Sequence, residues 1–257
     1  MKKAFAVLMI TLMLAVSAVP AAAKTGPGTR DAVGMSLIGL NTLDLYGNTV
    51  DDTVFATHTM TVMNFWATWC GPCIGEMPDF LTLHNHYQAT SENDVQLCGV
   101  LMYEYSNEIS EAIQMTEENG WTWVHMLKNA QLYAVAEALV GDGSVPIPQT
   151  IIVDRSGTIR AHKRARFLNY EEMYEYVSSW YEILAAEEDQ QPVVPGDANG
   201  DGNVDVADAL LAIRYSMGLF QLSENALSAC DIDHDGSVVV SDALMILRRA
   251  MGIIDSF

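Results

Sequence analysis

Residues 197–218, DANGDGNVDVADALLAIRYSMG, return 34 positions later as DIDHDGSVVVSDALMILRRAMG, with 11 of 22 positions identical. Self-similarity of this kind marks a duplicated unit. The C-terminal end of the chain therefore has to fold as two copies of one small motif, whatever precedes it. Within each copy the oxygen-bearing side chains keep a fixed spacing. Asp197, Asn199, Asp201, Asn203, Asp205 and Asp208 hold positions 1, 3, 5, 7, 9 and 12 of a twelve-residue loop, with Gly202 at position 6. Asp231, Asp233, Asp235, Ser237 and Asp242 hold positions 1, 3, 5, 7 and 12 of the second loop, with Gly236 at position 6. Valine stands at position 8 in both, and Asp-Ala-Leu leads from each loop into a helical pattern.

Hard oxygen donors at positions 1, 3, 5 and 12, with a glycine for the sharp turn, describe an EF-hand-type calcium loop. Two Ca2+ sites are expected. Two features depart from a calcium sensor. Pro192, Pro195 and Gly196 forbid an entering helix before the first loop, and position 12 is Asp in both loops, where EF-hands carry a bidentate Glu. Loop-then-helix duplication without entering helices resembles the type I dockerin, from about Val194 to Ile254. That resemblance implies a cohesin domain of a scaffold protein as partner, met by loop positions 10 and 11 and by positions further along each helix. Here those are Val206, Ala207, Arg214 and Tyr215 in the first repeat, and Val240, Ser241, Arg248 and Arg249 in the second. The two sets differ in polarity, which favours one binding orientation over the near-twofold alternative. Val239 departs from the usual polar residue at position 9, so the second calcium site is expected to be the weaker. So short a segment, with its acids packed together, has little stability without metal, and metal binding and folding are expected to be one event.

Upstream the grammar is different. From about Gly34 to Glu188, strand-like and helix-like patterns alternate, which argues for an α/β domain. TLDLYGNTVDD predicts a hairpin around Gly47-Asn48, and Thr59 to Ala67 a buried strand followed by a helix over Pro72 to Gln88. Val95 to Tyr105 reads as a second strand, Glu108 to Asn119 as a helix ended by Gly120, and Trp123 to Leu127 as a short strand. A helix near Ala130 to Val140, a strand pair from Ile151 to Arg166 turning at Ser156-Gly157, and a helix over Tyr170 to Ala185 complete it. The aperiodic QQPVVPG that follows reads as a stiff linker.

The four cysteines are Cys70, Cys73, Cys98 and Cys230, too few to staple a chain of 257 residues. Two of them form Cys70-Gly71-Pro72-Cys73 between an apolar strand and a helix. A sulfur at a helix N-terminus meets orphan N–H groups and the positive end of the dipole, which stabilise a thiolate. Cys70 is thus the expected nucleophile, with Cys73, one turn on, placed to resolve a mixed disulfide. No second C-x-x-C or H-x-x-H completes a zinc site.

NFWATWCGPC resembles the active-site segment of the thioredoxin superfamily, and CGPCIGEMP its exported TlpA-like branch, over about Gly34 to Leu184. The resemblance implies a thioredoxin-like fold and thiol–disulfide exchange with protein substrates, through an electron donor or acceptor that is not specified. It implies a cis proline at Pro148 facing the cysteines, with Ile147 presenting its backbone to a substrate chain, and Trp69, Gly71 and Pro72 on the substrate side. Glu76 matches the acid that this branch carries three positions after the second cysteine, and could assist proton transfer at that thiol. Asn64 stands where cytoplasmic thioredoxins have a buried acid, a place Glu76 would fill. A peroxidase is rejected, because the P-x-x-x-T-x-x-C motif of peroxiredoxins is out of register around Cys70. Cys98 reads as a small buried hydrophobe, and a bridge from Cys98 to Cys230 is not expected. His84, His86, His125 and His162 show no ligand spacing. Trp121 and Trp123 read as packing residues.

Residues 1–23 carry Lys2 and Lys3, an apolar run from Ala4 to Val16 and then Ala21-Ala22-Ala23, the pattern of a secretory signal peptide. The run is shorter than the about 20 residues a bilayer core requires, so no membrane span is expected after processing. A formal charge of -20 has the wrong sign for gripping nucleic acid. The chain therefore reads as an α/β thioredoxin-like domain, a central mixed sheet flanked by helices, over 24–188. A linker over 189–196 and a small all-α calcium-binding dockerin over 197–257 follow. The expected function is a secreted thiol–disulfide oxidoreductase tethered to a cohesin-bearing scaffold; the alternative is a non-catalytic assembly subunit whose thioredoxin fold is only a binding platform.

Overall fold

The structure is a computed structural model that describes residues 32–89, 94–188, 193–219 and 222–257. The expected signal peptide and the first half of the expected linker lie outside the described residues. A short hairpin, β1 (Asn41–Leu43) with β2 (Thr49–Asp51), and a single turn of helix, α1 (Thr53–Ala56), precede the main sheet. That sheet is built from β3 (Met60–Trp66), β4 (Val95–Leu101), β5 (Val124–Leu127), β6 (Gln149–Asp154) and β7 (Ile159–Arg164), in the spatial order β5-β4-β3-β6-β7. β3, β4 and β5 are parallel, while β6 and β7 run antiparallel to their neighbours. This is the expected mixed sheet.

β3 is central and buried at all seven positions, which is why its sequence is a near-continuous apolar run. Its alternate residues serve two cores. Met60, Val62 and Trp66 face a cluster covered by α2 (Gly71–Ala89) and α5 (Tyr170–Glu188), through Met77, Phe80 and Leu83 from the first and Met173, Val177 and Leu184 from the second. Met63 and Phe65 face the opposite cluster, covered by α4 (Ala130–Ala138) through Leu132, Val135 and Ala136 and by Leu37, Leu40 and Phe55. α3 (Asn107–Asn119) adds Ala112 to the first cluster and ends on Gly120 in the left-handed region, φ 70°.

The duplicated segment forms its own core. α6 (Val206–Ser216) and α8 (Val240–Ala250) bury Ala209, Leu211, Ala212, Ala243 and Ile246 against one another and against Ala198, Ile232 and Val238 from the loops. Among the described residues, Ala56 alone joins that cluster from the larger domain. One expectation needs correction: the second loop does have a helix before it. α7 (Glu224–Cys230) starts where Ser223 accepts a hydrogen bond from the Ala226 N–H at 3.3 Å, and it buries Ala226, Ala229 and Cys230. The prolines that forbid an entering helix before the first loop have no counterpart here.

Candidate functional site

β3 ends at Trp66, and the cysteine motif leaves the sheet from that end. Cys70 stands immediately before α2, and its Sγ accepts the Cys73 N–H at 3.2 Å. Pro72 is tolerated in the first turn because the N–H it lacks would have no helical partner there. The two sulfurs are bridged, with the Cα atoms 5.3 Å apart. Cys73 is fully buried and Cys70 4% exposed, whereas Trp69, Gly71 and Pro72 lie at the surface, Trp69 at 61%. β6 begins at Gln149, paired with Phe65, so the residues just before it reach the same end of the sheet. Ile147-Pro148 is a cis peptide, as expected, with Ile147 partly exposed and Pro148 buried.

Glu76 is not a solvated helix charge. It is 1% exposed, its Oε1 accepts from Asn64 Nδ2 at 3.1 Å and its Oε2 from the Phe167 N–H at 3.0 Å. Burial pushes the carboxyl up to about 7; the two hydrogen bonds and the nearby Arg166 oppose that shift without cancelling it. Asn64 also reaches Thr150 Oγ1 at 3.3 Å and so ties the acid to the central sheet. A carboxyl that exchanges its proton near neutrality, one turn along α2 from Cys73, is suited to proton transfer at that thiol. Sequence spacing could not find Phe167, which contributes only a backbone amide.

The remaining cysteines and His125 are buried. Cys98 is buried in β4, and burial pushes its thiol up to about 12. Cys230 is a free, buried thiol in the smaller core, in a different cluster from Cys98. His125 packs between the Trp66 and Trp123 rings, and burial pushes it down to about 4. Trp121 and Trp123 are buried.

In the first acidic loop, Asp197 accepts the N–H groups of Gly200, Asp201 and Gly202, and the fully buried Asp208 accepts those of Ala198, Asn199 and Asp205. Asp205 caps α6 through the Ala207 N–H at 2.7 Å, while the Asn199 and Asn203 amides turn toward Asp201. In the second loop, Asp242 repeats the role of Asp208 for Ile232 and Val239, and Ser237 is exposed. Oxygens of Asp231, Asp233 and Asp235 lie within 4.8 Å of one another. Three converging hard-oxygen donors around a glycine at φ 87° suit a calcium-sized cation.

The two expected partner faces are unequal. Val240, Ser241, Arg248 and Arg249 are all exposed. In the first repeat only Val206 is; Ala207 and Tyr215 are half-buried, and the Arg214 guanidinium is spent on the larger domain, donating to Thr53 Oγ1 and lying 3.8 Å from Asp51 Oδ2.

The Redoxin family model matches residues 17–176, and the Dockerin type I domain model matches 195–250. Thiol:disulfide interchange protein DsbE of Yersinia pestis is 26% identical over 137 residues, which are 51% of this chain and 61% of that protein. Thiol-disulfide oxidoreductase ResA of Geobacillus thermodenitrificans is 28% identical over 98 residues, 38% of this chain and 50% of that protein. The chain thus spans between half and two thirds of the length of these relatives. A thioredoxin-family thiol:disulfide interchange protein of Chlorobium tepidum, solved by crystallography, overlaps 58% of this chain and 97% of its own, at 17% identity and a TM-score of 0.49. A family match over more than half of its length makes this chain a member of the redoxin family, joined toward its C-terminal end to a type I dockerin domain.

Proposed function

We propose that the larger domain exchanges disulfides with protein substrates and that the dockerin fastens it to a cohesin-bearing scaffold outside the cell. The carrying observation is the Cys70 sulfur at the head of α2, on a helical N–H, with the buried Glu76 one turn beyond Cys73. As a reductase, the Cys70 thiolate attacks a substrate disulfide, forming a mixed disulfide and expelling one substrate thiolate. Cys73 then gives up its proton, with Glu76 as acceptor, and attacks Cys70 Sγ. That releases the second substrate thiolate and leaves the Cys70–Cys73 bridge, so two electrons pass to the substrate; the reverse sequence oxidises a dithiol. Ile147 would align an extended substrate backbone beside the pair, with Pro148, Trp69, Gly71 and Pro72 shaping the approach. Insulin reduction by dithiothreitol tests this: wild type should accelerate it and Cys70→Ser should not. Equal rates overturn the enzymatic reading.

The acidic loops would hold Ca2+ through Asp197, Asn199, Asp201 and Asp208, with Asn203 and Asp205 completing the first cage, and through Asp231, Asp233, Asp235, Ser237 and Asp242 in the second. The ion supplies the positive charge that lets these carboxylates share one loop. Among the described residues no helix is long and apolar enough to cross a membrane. Val240, Ser241, Arg248 and Arg249 form the more open face for a cohesin domain. Capture by cohesin should succeed with calcium and fail with a chelator.

A further inference from the structure

The cationic side chains of the redoxin domain are few, and most are spent. Among the described residues, Arg155 pairs with Glu188, Arg160 with Asp154 and Glu187, and Lys163 with Glu172. Lys128 lies over the Tyr103 and Tyr133 rings. Arg164 and Arg166 are different: both are exposed, and neither forms an ion pair among the described residues. Both also stand at the cysteine end of the sheet. Arg164 ends β7 directly across from Gln149, the residue after Pro148. Ala165 then takes a left-handed backbone, φ 65°, which non-glycine residues rarely adopt. The turn carries Arg166 over the first turns of α2, where a Cβ on Gly75 would lie 3.5 Å from its Nη1. The Phe167 N–H on Glu76 holds this turn in place, and Leu168 beyond it is 76% exposed. Arg164 acts electrostatically on Asp142, and Arg166 on Glu76 and Asp79, without an ion pair to any of them. Across the motif the sign reverses, since Thr68 donates to the exposed Glu111.

We propose that Arg164 and Arg166 form a cationic rim beside Ile147 and the head of α2 that selects disulfides or thiols carried on acidic protein segments. This rests on the thiol–disulfide exchange reading and names its substrate class. The occupant follows from charge complementarity: two unpaired guanidiniums flank the approach to the cysteines on an otherwise acidic domain, so an acidic stretch next to the reacting sulfur is attracted where a basic one is repelled. Seen from further away, the net charge of -20 favours a basic peptide. At 0.15 M ionic strength, however, fields decay within about 8 Å, and the rim decides.

The test uses the full chain, reduced with dithiothreitol, and three self-quenched disulfide peptides of equal length with Glu, Gln or Lys flanking the bridge, in 0.15 M salt. Wild type should react about fivefold faster with the Glu peptide than with the Lys peptide. The R164E/R166E double variant should reverse that order, and R164Q/R166Q should level it. Equal rates for the Glu and Lys peptides with wild type, or a preference that survives in R164E/R166E, overturns the rim. Hydroxyethyl disulfide, small and uncharged, separates this from failure of the parent reading: if wild type does not reduce it or any of the peptides, thiol–disulfide exchange itself is refuted and the rim falls with it.

Discussion

At the level of single residues the molecule is organised around one carboxyl. Glu76 holds its proton up to about 7 in the folded chain, above its ordinary 4.5, because burial outweighs its hydrogen bonds to Asn64 and Phe167. Between those two pH values the folded chain therefore binds more protons than the unfolded one, and stability falls as pH rises, by about 3 kcal/mol in all once pH exceeds 7. Glu76→Gln should flatten that slope in urea titrations run from pH 4.5 to 8. It should also remove the inflection near pH 7 from the rate of disulfide exchange, because no acceptor remains for the Cys73 proton. Cysteine pKa values and an exchange profile identical to wild type would separate Glu76 from the chemistry. Cys98 makes the opposite case. Its buried thiol, pushed up to about 12, holds almost no thiolate at pH 8. Iodoacetamide should therefore label Cys70 in the reduced native chain and reach Cys98 only after denaturation, as mass spectrometry of tryptic peptides would show.

Elements were legible from sequence where a short-range rule sets them. The apolar run of β3, the Gly120 stop of α3 and the spacing of both acidic loops each obey such a rule, and each stands where expected. β4 is shorter than its apolar run suggests, ending at Leu101; the next residue, Met102, donates to Trp66 O at 2.8 Å, the last residue of β3 before the chain leaves the sheet. α1 and α7 are too short for periodicity to register, and α7 depends on a Ser223 cap and the burial of three small residues. In the site, the cysteines were readable because local order fixes them, and Pro148 through the family resemblance. The Phe167 amide and the Arg164–Arg166 turn were not, since folding brings them to α2 from the far edge of the sheet. β4 also carries a packing constraint that propensity hides. A Cβ on Gly99 would overlap His125 Nδ1 and lie 2.9 Å from Trp66 Nε1, and both rings are buried. Gly99→Ala should cost about 2 kcal/mol, the ordinary penalty for overpacking, and lower the melting temperature with the cysteine motif intact in sequence. An unchanged melting temperature would mean that the rings can move aside.

Across the whole molecule, two cores meet at a small seam. Among the described residues, the two clusters of the larger domain contain no dockerin residue, and the dockerin cluster borrows only Ala56. Arg214 and the Asn225 side chain, which donates to Glu188 O at 3.0 Å, add polar contacts across the seam. The acidity is divided between the parts and has different consequences in each. From Pro195 onward there are 3 Lys and Arg against 10 Asp and Glu, and 9 of those acids lie between Asp197 and Asp242. Without a cation the carboxylates of each loop repel one another while Asp208 and Asp242 remain fully buried, so the folded dockerin is penalised. A bound ion removes that penalty and stabilises by about 2.7 kcal/mol when its concentration is a hundred times the dissociation constant. The larger domain, with two apolar clusters of its own and no acidic loop of this kind among the described residues, gains nothing comparable. Calorimetry should therefore resolve two transitions, with added calcium raising the dockerin transition and a chelator abolishing it, while the redoxin transition moves little. Asp242→Asn should lower the dockerin transition in calcium by removing one donor and its charge. A single transition that shifts as a whole with calcium would instead mean that the seam at Ala56 and Arg214 couples the two cores into one cooperative unit.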